Sequence, residues 1–201
     1  IINHNCEFSS MEEQDIYQRI QKGCIDEFMK KEEKMEGNII IVLLEILLRL
    51  RQASIHPSIA IESLKKKFPG ENWDKKYNFD SISTKMKSTI MEIKKASGLS
   101  LVFCQFKQEM SLVQKYLLKE GIKSNIYDGS LNIAQREQII SQYNKENSKK
   151  RYKLVNGKLV QKAFDKPTVL LIQIKAGGVG LNLQQFSNIF IISPDWNPSN
   201  E

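Results

Sequence analysis

The sequence predicts an α/β fold in which a parallel-sheet domain is preceded by an α-helical segment. Apolar residues recur at helical spacing early in the chain, whereas from Leu99 onward short continuous apolar runs alternate with helical segments. Such runs are typical of strands that are buried on both faces of a sheet. A single core grows comfortably only to about 100–200 residues. The 201 residues therefore hold one such domain and a helical appendage.

Two helices are predicted in the amino-terminal part. The run Ser10-Met-Glu-Glu13 matches a capping box, in which the serine accepts from an early helix amide and the glutamate reaches back, so a helix should run over 11–34. Gly37-Asn38 breaks it. A second helix over 39–53 is indicated by apolar residues at helical spacing: Ile40, Leu43, Leu44, Leu47 and Leu50. Pro57 is predicted to end this helical region.

The domain boundary is predicted in residues 66–82, which are expected to form a loop. Lys, Gly, Pro, Asn and Asp are mixed here with isolated aromatic residues, and this composition fits neither regular period. Residues 1–65 are then the helical segment, and residues 83–201 are the sheet domain. A helix from Ser83 to about Ala96 opens that domain and stops at Ser97-Gly98.

Strands and helices alternate through the sheet domain. Asn132 is placed to cap the last of its predicted helices, with Gln135 at the third helical position. The β-α-β-α-β order predicts a parallel sheet with crossover connections. The predicted strands are 101–104, 123–127, 168–174 and 188–192, and the predicted helices are 108–119 and 133–144.

The charge of the chain indicates the kind of partner that it binds, and its cysteine content indicates the redox state of its compartment. The net charge of +7 favours a polyanionic partner, because Lys and Arg release condensed counterions when they bind phosphates. Cys6, Cys24 and Cys104 form no C-x-x-C pair and only two histidines occur, so a reducing compartment and no metal site are expected. No apolar run is long enough to span a bilayer and no signal peptide is evident, so an intracellular protein is expected.

A basic insertion over residues 145–166 is predicted to form a β-hairpin. Two alternating segments are joined there by Asn156-Gly157, which is the strongest short signal for a hairpin. Its functional interpretation is an extra contact between these basic residues and a polyanionic backbone such as that of DNA. The alternative is a solvated surface hairpin that its lysines keep soluble, and we favour it over the functional interpretation. The hairpin carries Lys149, Lys150, Arg151, Lys153, Lys158 and Lys162.

A glycine-rich segment, Lys175-Ala-Gly-Gly-Val-Gly180, directly follows a predicted strand. Open α/β sheets place their ligand loops there, and glycines let a phosphate approach the backbone amides closely. A tight strand-to-helix turn is the alternative. The motif G-x-x-x-x-G-K-[ST] does not occur in the chain, so this is not a self-sufficient P-loop ATPase.

Seven colinear segments resemble the Swi/Snf-like DNA-dependent ATPases of helicase superfamily two, and together they cover nearly the whole chain. Residues 168–183, Thr-Val-Leu-Leu-Ile-Gln-Ile-Lys-Ala-Gly-Gly-Val-Gly-Leu-Asn-Leu, resemble motif V of that family. Residues 191–198 are similar to the segment that follows it, and residues 100–106 are similar to motif IV. The other similar segments are Tyr127-Asp-Gly-Ser130 with Arg136, Leu48-Arg-Leu-Arg-Gln52 with His56-Pro57, Ser83-Thr-Lys-Met86, and Glu12 with Tyr17.

The resemblance implies a RecA-like second helicase lobe, linked through the helical segment to a first lobe. It also implies a set of residues along the sugar-phosphate track of DNA, where contacts position the protein without reading sequence: Gln105, Lys107, Lys175, Ala176, Gly178 and Trp196. For Trp196 a buried core position is the alternative. Gly180 and Asn182 would lie nearer to a nucleotide between the lobes.

The remaining residues singled out by the resemblance are interpreted as structural. Asp128 and Arg136 are expected to organise a turn and the helix behind it. Phe103, Ile172 and Ile191 are expected to pack in the core.

The departures from the family pattern concern catalysis. The family continues into a motif VI with two arginines that approach ATP, and the sequence ends at Glu201 before that motif. The Walker motifs are also missing, so this chain alone is expected to hold no catalytic residue and to hydrolyse no ATP. ATP and Mg²⁺ would be held mainly by the first lobe of the intact enzyme.

The resemblance implies that the intact protein couples ATP hydrolysis to movement on, or remodelling of, double-stranded DNA. A lobe of an RNA helicase or of a strand-separating DNA helicase stays an alternative, and so does a non-catalytic platform for protein interaction. The expected location is the nucleus of a eukaryotic cell, or a viral factory or virion for a viral protein.

Overall fold

The computed structural model describes residues 2–33, 38–67, 70, 72–143, 152–155, 158–161, 168–176 and 181–195. The chain divides into two compact units, Ile1–Ser88 and Thr89–Glu201. We call them the helical unit and the sheet unit. The division lies within a single helix, Thr84–Lys95. The domain boundary predicted from the sequence at residues 66–82 stays a prediction.

The helical unit contains α1 (Met11–Glu33), α2 (Ile39–Ile55), α3 (Pro57–Lys67), α4 (Trp73–Lys76) and the first residues of α5 (Thr84–Lys95). The predicted helices over 11–34 and 39–53 are confirmed, with α2 two residues longer than expected. None of the helices in the described residues combines the length and the apolar character that a membrane crossing requires.

Of the two hydrogen bonds in the predicted capping box of α1, the bond to the serine is confirmed and the bond from the glutamate is not. Ser10 Oγ accepts from the backbone N–H of Glu13 at 3.3 Å. The Glu13 carboxylate does not complete the box, because it accepts from the backbone N–H of Thr84 at 3.1 Å and from the Thr84 hydroxyl at 2.6 Å. A local sequence pattern cannot reveal this, since the competing donor lies 71 residues away.

Pro57 begins a helix and does not end the helical region, so that prediction was wrong. His56 adopts an extended backbone conformation and closes α2, and Pro57 then occupies the first position of α3. Proline is well tolerated there, because its missing N–H would have no helical partner and its φ already fits a helix.

The predicted loop over 66–82 contains the short helix α4 and contributes two aromatic residues to the core of the helical unit. Trp73 and Tyr77 are buried together with apolar residues of α1, α2 and α3, and their rings lie 6.1 Å apart. Isolated aromatics in a polar stretch give no periodic signal, which is why this packing was not predicted. The other buried members are Ile16, Ile20, Cys24, Val42, Ile46, Ala53, Ala60 and Ile61.

The sheet unit contains four parallel strands in the order β2-β5-β1-β6. They are β1 (Ser100–Cys104), β2 (Ser124–Tyr127), β5 (Val169–Gln173) and β6 (Asn188–Ile191), and they match the predicted runs. Helix α6 (Lys107–Lys119) connects β1 to β2, and α7 (Ile133–Ser141) follows β2. The mixed α/β class and the parallel sheet are therefore confirmed.

The central strands β1 and β5 are almost entirely buried, as their continuous apolar sequences predicted. Ile172 is fully buried, in agreement with its expected core role, and Phe103 is partly buried. Ile191 is 45% exposed, so its assignment to the core was wrong. It lies on the edge strand β6, and an apolar run in the sequence does not distinguish an edge strand from a central one.

Two local predictions about helix ends are confirmed. Asn132 Oδ1 accepts from the backbone N–H of Gln135 at 2.9 Å, and the Gln135 side chain accepts from the N–H of Asn132 at 3.0 Å. Gly98 follows α5 with a φ of +91°, a backbone conformation that glycine adopts without steric cost.

The predicted hairpin is confirmed by the backbone pairing of β3 (Tyr152–Val155) with β4 (Lys158–Gln161). The two strands are antiparallel, and Val155 pairs with Lys158. The other residues of the predicted insertion lie outside the described part of the chain.

Candidate nucleic-acid interface

The carboxyl ends of the four parallel strands meet at one edge of the sheet, which we call the carboxyl edge. Four segments leave the strands there: 105–107 after β1, 128–130 after β2, 174–176 after β5 and 192–195 after β6. The predicted DNA-track residues Gln105, Lys107, Lys175 and Ala176 all lie in these segments. Open α/β sheets bind their ligands outside the carboxyl ends of their strands.

The segments after β1 and β5 are neighbours because β1 and β5 pair along their full length. The backbone N–H of Ile174 donates to the Cys104 carbonyl at 3.0 Å, and the Gln173 side chain donates to the Gln105 carbonyl at 3.4 Å. A turn follows β5, closed by a bond of 2.8 Å from the Ala176 N–H to the Gln173 carbonyl. These bonds place the segments that contain Gln105 and Ala176 side by side at the carboxyl edge.

Gln105 also joins the segment after β6. Its Nε2 donates to Asp195 Oδ2 at 2.8 Å, so its amide braces two loops across the edge. A side chain committed in this way contributes more to the arrangement of the edge than to a new ligand contact.

A buried carboxylate supports the turn between β1 and α6. Glu109 is fully buried, and its Oε2 accepts from the backbone N–H groups of Gln105 at 2.8 Å and of Phe106 at 3.1 Å. These bonds satisfy donors that precede and cap α6, where a helix has no backbone partners of its own. Burial, with the nearby Glu109 charge, raises the pKa of the Cys104 thiol well above its usual value.

Lys107 and Asp128 connect the segments after β1 and β2. Lys107 Nζ lies 3.1 Å from Asp128 Oδ2, and the lysine side chain is 59% exposed whereas the aspartate side chain is only 11% exposed. The other carboxylate oxygen accepts from the backbone N–H of Ser130 at 2.8 Å and from the Ser130 hydroxyl. The hydroxyl bond is the largest cause that lowers the pKa of Asp128, and Lys107 adds to it against the opposing effect of burial.

The turn after β2 has the structural roles that the sequence suggested. Asp128 organises the turn through Ser130. Arg136 donates to the carbonyl of Leu131 at 3.0 Å, and its guanidinium lies 5.4 Å from the centre of the Tyr127 ring. The start of α7 is thereby attached to β2.

A family model for the helicase conserved C-terminal domain matches residues 81–201 of this chain. The chain belongs to this helicase C-terminal domain family. The matched range contains α5, the parallel sheet and every residue assigned above to the carboxyl edge.

Several curated proteins are similar to this helicase C-terminal domain. The DNA repair protein RAD5 of Cryptococcus neoformans is 29% identical over an alignment of 124 positions, which covers 59% of this chain and 9% of that protein. The mouse helicase-like transcription factor is 34% identical over 102 residues, which are 51% of this chain and 9% of that protein. The chain spans less than a tenth of the length of these relatives.

Solved structures show the same fold. The C-terminal part of the Fun30 ATPase domain aligns with a TM-score of 0.66 at 17% identity, covering 98% of this chain and 76% of that one. The C-terminal domain of the Sulfolobus solfataricus SWI2/SNF2 ATPase aligns with a TM-score of 0.61 at 21% identity, covering 91% of this chain and 69% of that one. This helicase C-terminal domain therefore has the RecA-like fold of these lobes, and its relatives and structural neighbours agree with the resemblance to the Swi/Snf-like ATPases.

The structure says less about the other residues that were predicted to contact DNA or to lie near a nucleotide. Gly178, Gly180 and Trp196 lie outside the described residues. Asn182 is exposed, and its Oδ1 accepts from the backbone N–H of Gln184 at 3.4 Å. Within the described part of the chain, no group of three or more metal-ligating side chains occurs.

Two contributors to the edge were not predicted from the sequence. Glu109 stands three residues after Phe106, the N-cap of α6, and this spacing would have identified it if the N-cap were a serine or threonine. Asp195 lies within the 191–198 segment that resembles the family, but its bond to Gln105 spans 90 residues. Spacing within a single segment cannot predict such a contact.

Proposed function

We propose that this lobe supplies one of two DNA-gripping surfaces in an ATP-dependent translocase that moves on double-stranded DNA. The observation that carries the proposal is the convergence of Gln105, Lys107, Lys175 and Ala176 at the carboxyl edge of one parallel sheet. The chain is also basic overall, with a net charge of +7. Positive charge and backbone amides at such an edge suit a phosphate backbone.

The two lysines have different roles in this proposal. Lys175 is exposed in the turn after β5 and would contact a phosphate directly. Lys107 is held by Asp128 at 3.1 Å and is still 59% exposed, so its ammonium can donate to a phosphate without leaving the carboxylate, since it carries three donors. Gln105 would act as a brace, because its amide is bonded to Asp195.

One of the structures with the same fold was solved with DNA. The Sulfolobus solfataricus SWI2/SNF2 ATPase core in complex with double-stranded DNA aligns with a TM-score of 0.60 at 19% identity, covering 94% of this chain and 33% of that one. At this identity the alignment carries the fold alone, so the DNA contact is assigned here from the residues at the carboxyl edge.

Among the residues of this lobe that the structure describes, no complete site for ATP and Mg²⁺ is present. Asn182 offers one exposed amide, whereas a triphosphate with its metal requires a phosphate cradle, a lysine and an acidic ligand. We therefore assign nucleotide binding mainly to the first lobe of the intact protein, with Gly180 and Asn182 of this lobe nearby. Movement of two lobes as rigid bodies would shift the grip along DNA.

Binding by this chain to blunt duplex DNA, to single-stranded DNA and to duplex RNA tests the proposal. We expect the tightest binding to duplex DNA, with affinity that falls steeply as the salt concentration rises. We also expect no ATP turnover that DNA stimulates. A preference for single strands or for RNA would favour a strand-separating or RNA helicase, and DNA-stimulated turnover by this chain alone would contradict the assignment of catalysis to a first lobe.

A further inference from the structure

Lys107 occupies a position at which a helix does not favour a cation. It is the first residue of α6, and the first turn of a helix carries the positive end of the helix dipole. Its side chain is nevertheless 59% exposed at the carboxyl edge, where a phosphate would meet it. The groups that hold this residue therefore determine where its ammonium lies.

Two carboxylates hold Lys107, and they act on different parts of the residue. Asp128 acts on the end of the side chain, since its Oδ2 lies 3.1 Å from the lysine Nζ. Glu109 acts on the backbone that precedes the lysine. Its Oε2 accepts from the N–H of Gln105 at 2.8 Å and from the N–H of Phe106 at 3.1 Å.

The connection between β1 and α6 consists of two residues, Gln105 and Phe106, because β1 ends at Cys104 and α6 begins at Lys107. Both backbone N–H groups of this connection donate to the same oxygen of Glu109. A rotation of either peptide would break one of these bonds and would turn the start of α6. The Glu109 carboxylate therefore fixes the direction in which the Lys107 side chain leaves the backbone.

The charge of Glu109 is unfavourable for the proposed partner. The side chain is fully buried, so water and salt screen its negative charge only weakly from a nearby phosphate. Removing a carboxylate from water is also costly unless its hydrogen bonds are strong. An N–H group bonds a carboxylate about twice as strongly as it bonds a neutral acceptor. Firm support of the turn is thus the benefit that offsets this charge.

We propose that Glu109 is a positioning residue for DNA binding, which directs Lys107 toward the phosphate backbone by fixing the turn before it. Because Glu109 is fully buried, it acts through this turn and not by touching DNA. The proposal deepens the proposed function and rests on it, since it takes the carboxyl edge as the surface that contacts duplex DNA.

The test compares two substitutions of Glu109 in the whole chain. Glu109→Asp keeps the charge, but its side chain is one methylene shorter and does not reach both N–H groups. Glu109→Gln removes the charge and keeps an oxygen at the same reach. Binding to a long blunt duplex is measured by fluorescence anisotropy over a range of salt concentrations, at a temperature where circular dichroism shows every variant folded.

We expect Glu109→Asp to bind about five- to tenfold more weakly at about 0.1 M salt, because one phosphate contact contributes about 0.9 to the slope of log affinity against log salt. Its slope should be shallower by about 1. Glu109→Gln should keep the slope of the unsubstituted chain and bind at least as tightly. The reverse order, with Glu109→Gln weakened and Glu109→Asp unchanged, would show that the reach of the side chain is not what matters and would overturn the proposal.

Lys107→Gln shows whether Glu109 acts through this lysine. Alone, it should make the slope shallower by about 1. Adding Glu109→Asp to it should change the affinity little, because the effects of two residues that serve one contact are not additive. A full additional loss in the double variant would overturn the assignment of Glu109 to Lys107.

Two controls separate positioning from loss of stability and from loss of charge. Tyr143→Phe removes a hydroxyl that donates to the carbonyl of Val169 at 2.6 Å, at the amino end of β5. It therefore weakens the sheet unit at the end opposite to the carboxyl edge. Lys119→Gln removes an exposed lysine at the far end of α6. A slope as shallow in either control as in Glu109→Asp would overturn the proposal.

Hydrogen exchange tests the same geometry without any substitution, and it applies even where Glu109→Asp does not fold. The amides of Gln105 and Phe106 should exchange slowly with deuterium in NMR spectra of the unsubstituted chain, because they donate to a buried carboxylate. Fast exchange of both amides would mean that Glu109 does not hold the turn, and the proposal would be wrong.

The remaining outcomes separate this proposal from the proposed function. If Lys107→Gln and Lys175→Gln weaken duplex binding while Glu109→Asp does not, the positioning role is overturned and the proposed function stands. If the unsubstituted chain does not bind duplex DNA, both are overturned.

Discussion

The Lys107 ammonium lies 3.1 Å from Asp128 Oδ2, and this ion pair joins the helix that follows β1 to the turn that follows β2. The aspartate is nearly buried and is also bonded to Ser130. The pair therefore fixes a cation at the carboxyl edge before any phosphate is present.

Asp128→Asn should lower the free energy of unfolding by about 1–2 kcal/mol at neutral pH, because an amide oxygen accepts more weakly from Ser130 and does not attract Lys107. The bonds from Ser130 hold the pKa of Asp128 below its usual value. A depressed folded-state pKa stabilises the fold above the unfolded pKa of about 4 and loses that effect as the pH falls through the folded pKa. The difference in urea unfolding between the two proteins should therefore shrink in acid.

Glu137→Gln provides the control for this experiment, since Glu137 is an exposed carboxylate on the nearby helix α7. Its stability should stay within about 0.5 kcal/mol of the unsubstituted chain. A stability difference for Asp128→Asn that is as large in strong acid as at neutral pH would show that the carboxylate charge is not its cause.

The Cys104 thiol should stay protonated and unreactive in the folded chain. Burial, with the Glu109 charge as a second cause, raises its pKa well above the usual value, and the thiolate is the reactive form. Alkylation at about pH 8.5, the usual thiol pKa, followed by mass spectrometry should modify exposed Cys6 and leave Cys104 unmodified until urea is added. Equal labelling of the two cysteines in the native chain would contradict this environment.

The hydrogen bonds between Glu13 and Thr84 should contribute strongly to the stability of the helical unit. Glu13 is largely buried and accepts from both the N–H and the hydroxyl of Thr84, and Thr84 Oγ1 in turn accepts from the Ser9 N–H at 2.9 Å. Thr84→Val should lower the free energy of unfolding by about 1–3 kcal/mol, because it leaves a buried carboxylate short of a donor. Chemical unfolding measures this, with Glu7→Gln at an exposed position as a neutral control.

The Asn132 cap gives a prediction with a closely matched control. Asn132→Ala should destabilise the sheet unit by about 1 kcal/mol, because it removes the acceptor for the Gln135 N–H. Asn132→Ser should be nearly neutral, since serine caps helices about as well as asparagine. Equal losses for the two variants in thermal unfolding would show that the cap bond is not what stabilises α7.

The sequence predicted the elements of this fold well because their signals are local. The apolar runs of β1 and β5, the Asn132 cap and the Asn156-Gly157 hairpin signal each lie within a few neighbouring residues, and the structure agrees with the strands, the cap and the hairpin pairing. The resemblance of residues 168–183 to motif V also implied a DNA-contacting role for Lys175, which lies on the edge where the strands end.

The contacts that organise the site could not be predicted in the same way. The Gln105 side chain donates to Asp195, which is 90 residues away. The Glu13 carboxylate accepts from Thr84, which is 71 residues away, and does not complete the capping box at the start of its own helix. Such contacts depend on which segments the fold brings together. The exposure of Ile191 could not be predicted either, because the run that forms the edge strand β6 is as apolar as the run of a central strand.

We propose that the carboxyl edge of the sheet contacts the phosphate backbone of duplex DNA. The most direct measurement is the salt dependence of duplex binding for Lys175→Gln against the unsubstituted chain, on several unrelated DNA sequences. We predict weaker binding by a similar factor on every sequence, with a slope shallower by about 1. Affinity and slope unchanged from those of the unsubstituted chain would contradict the assignment of Lys175 to the DNA track.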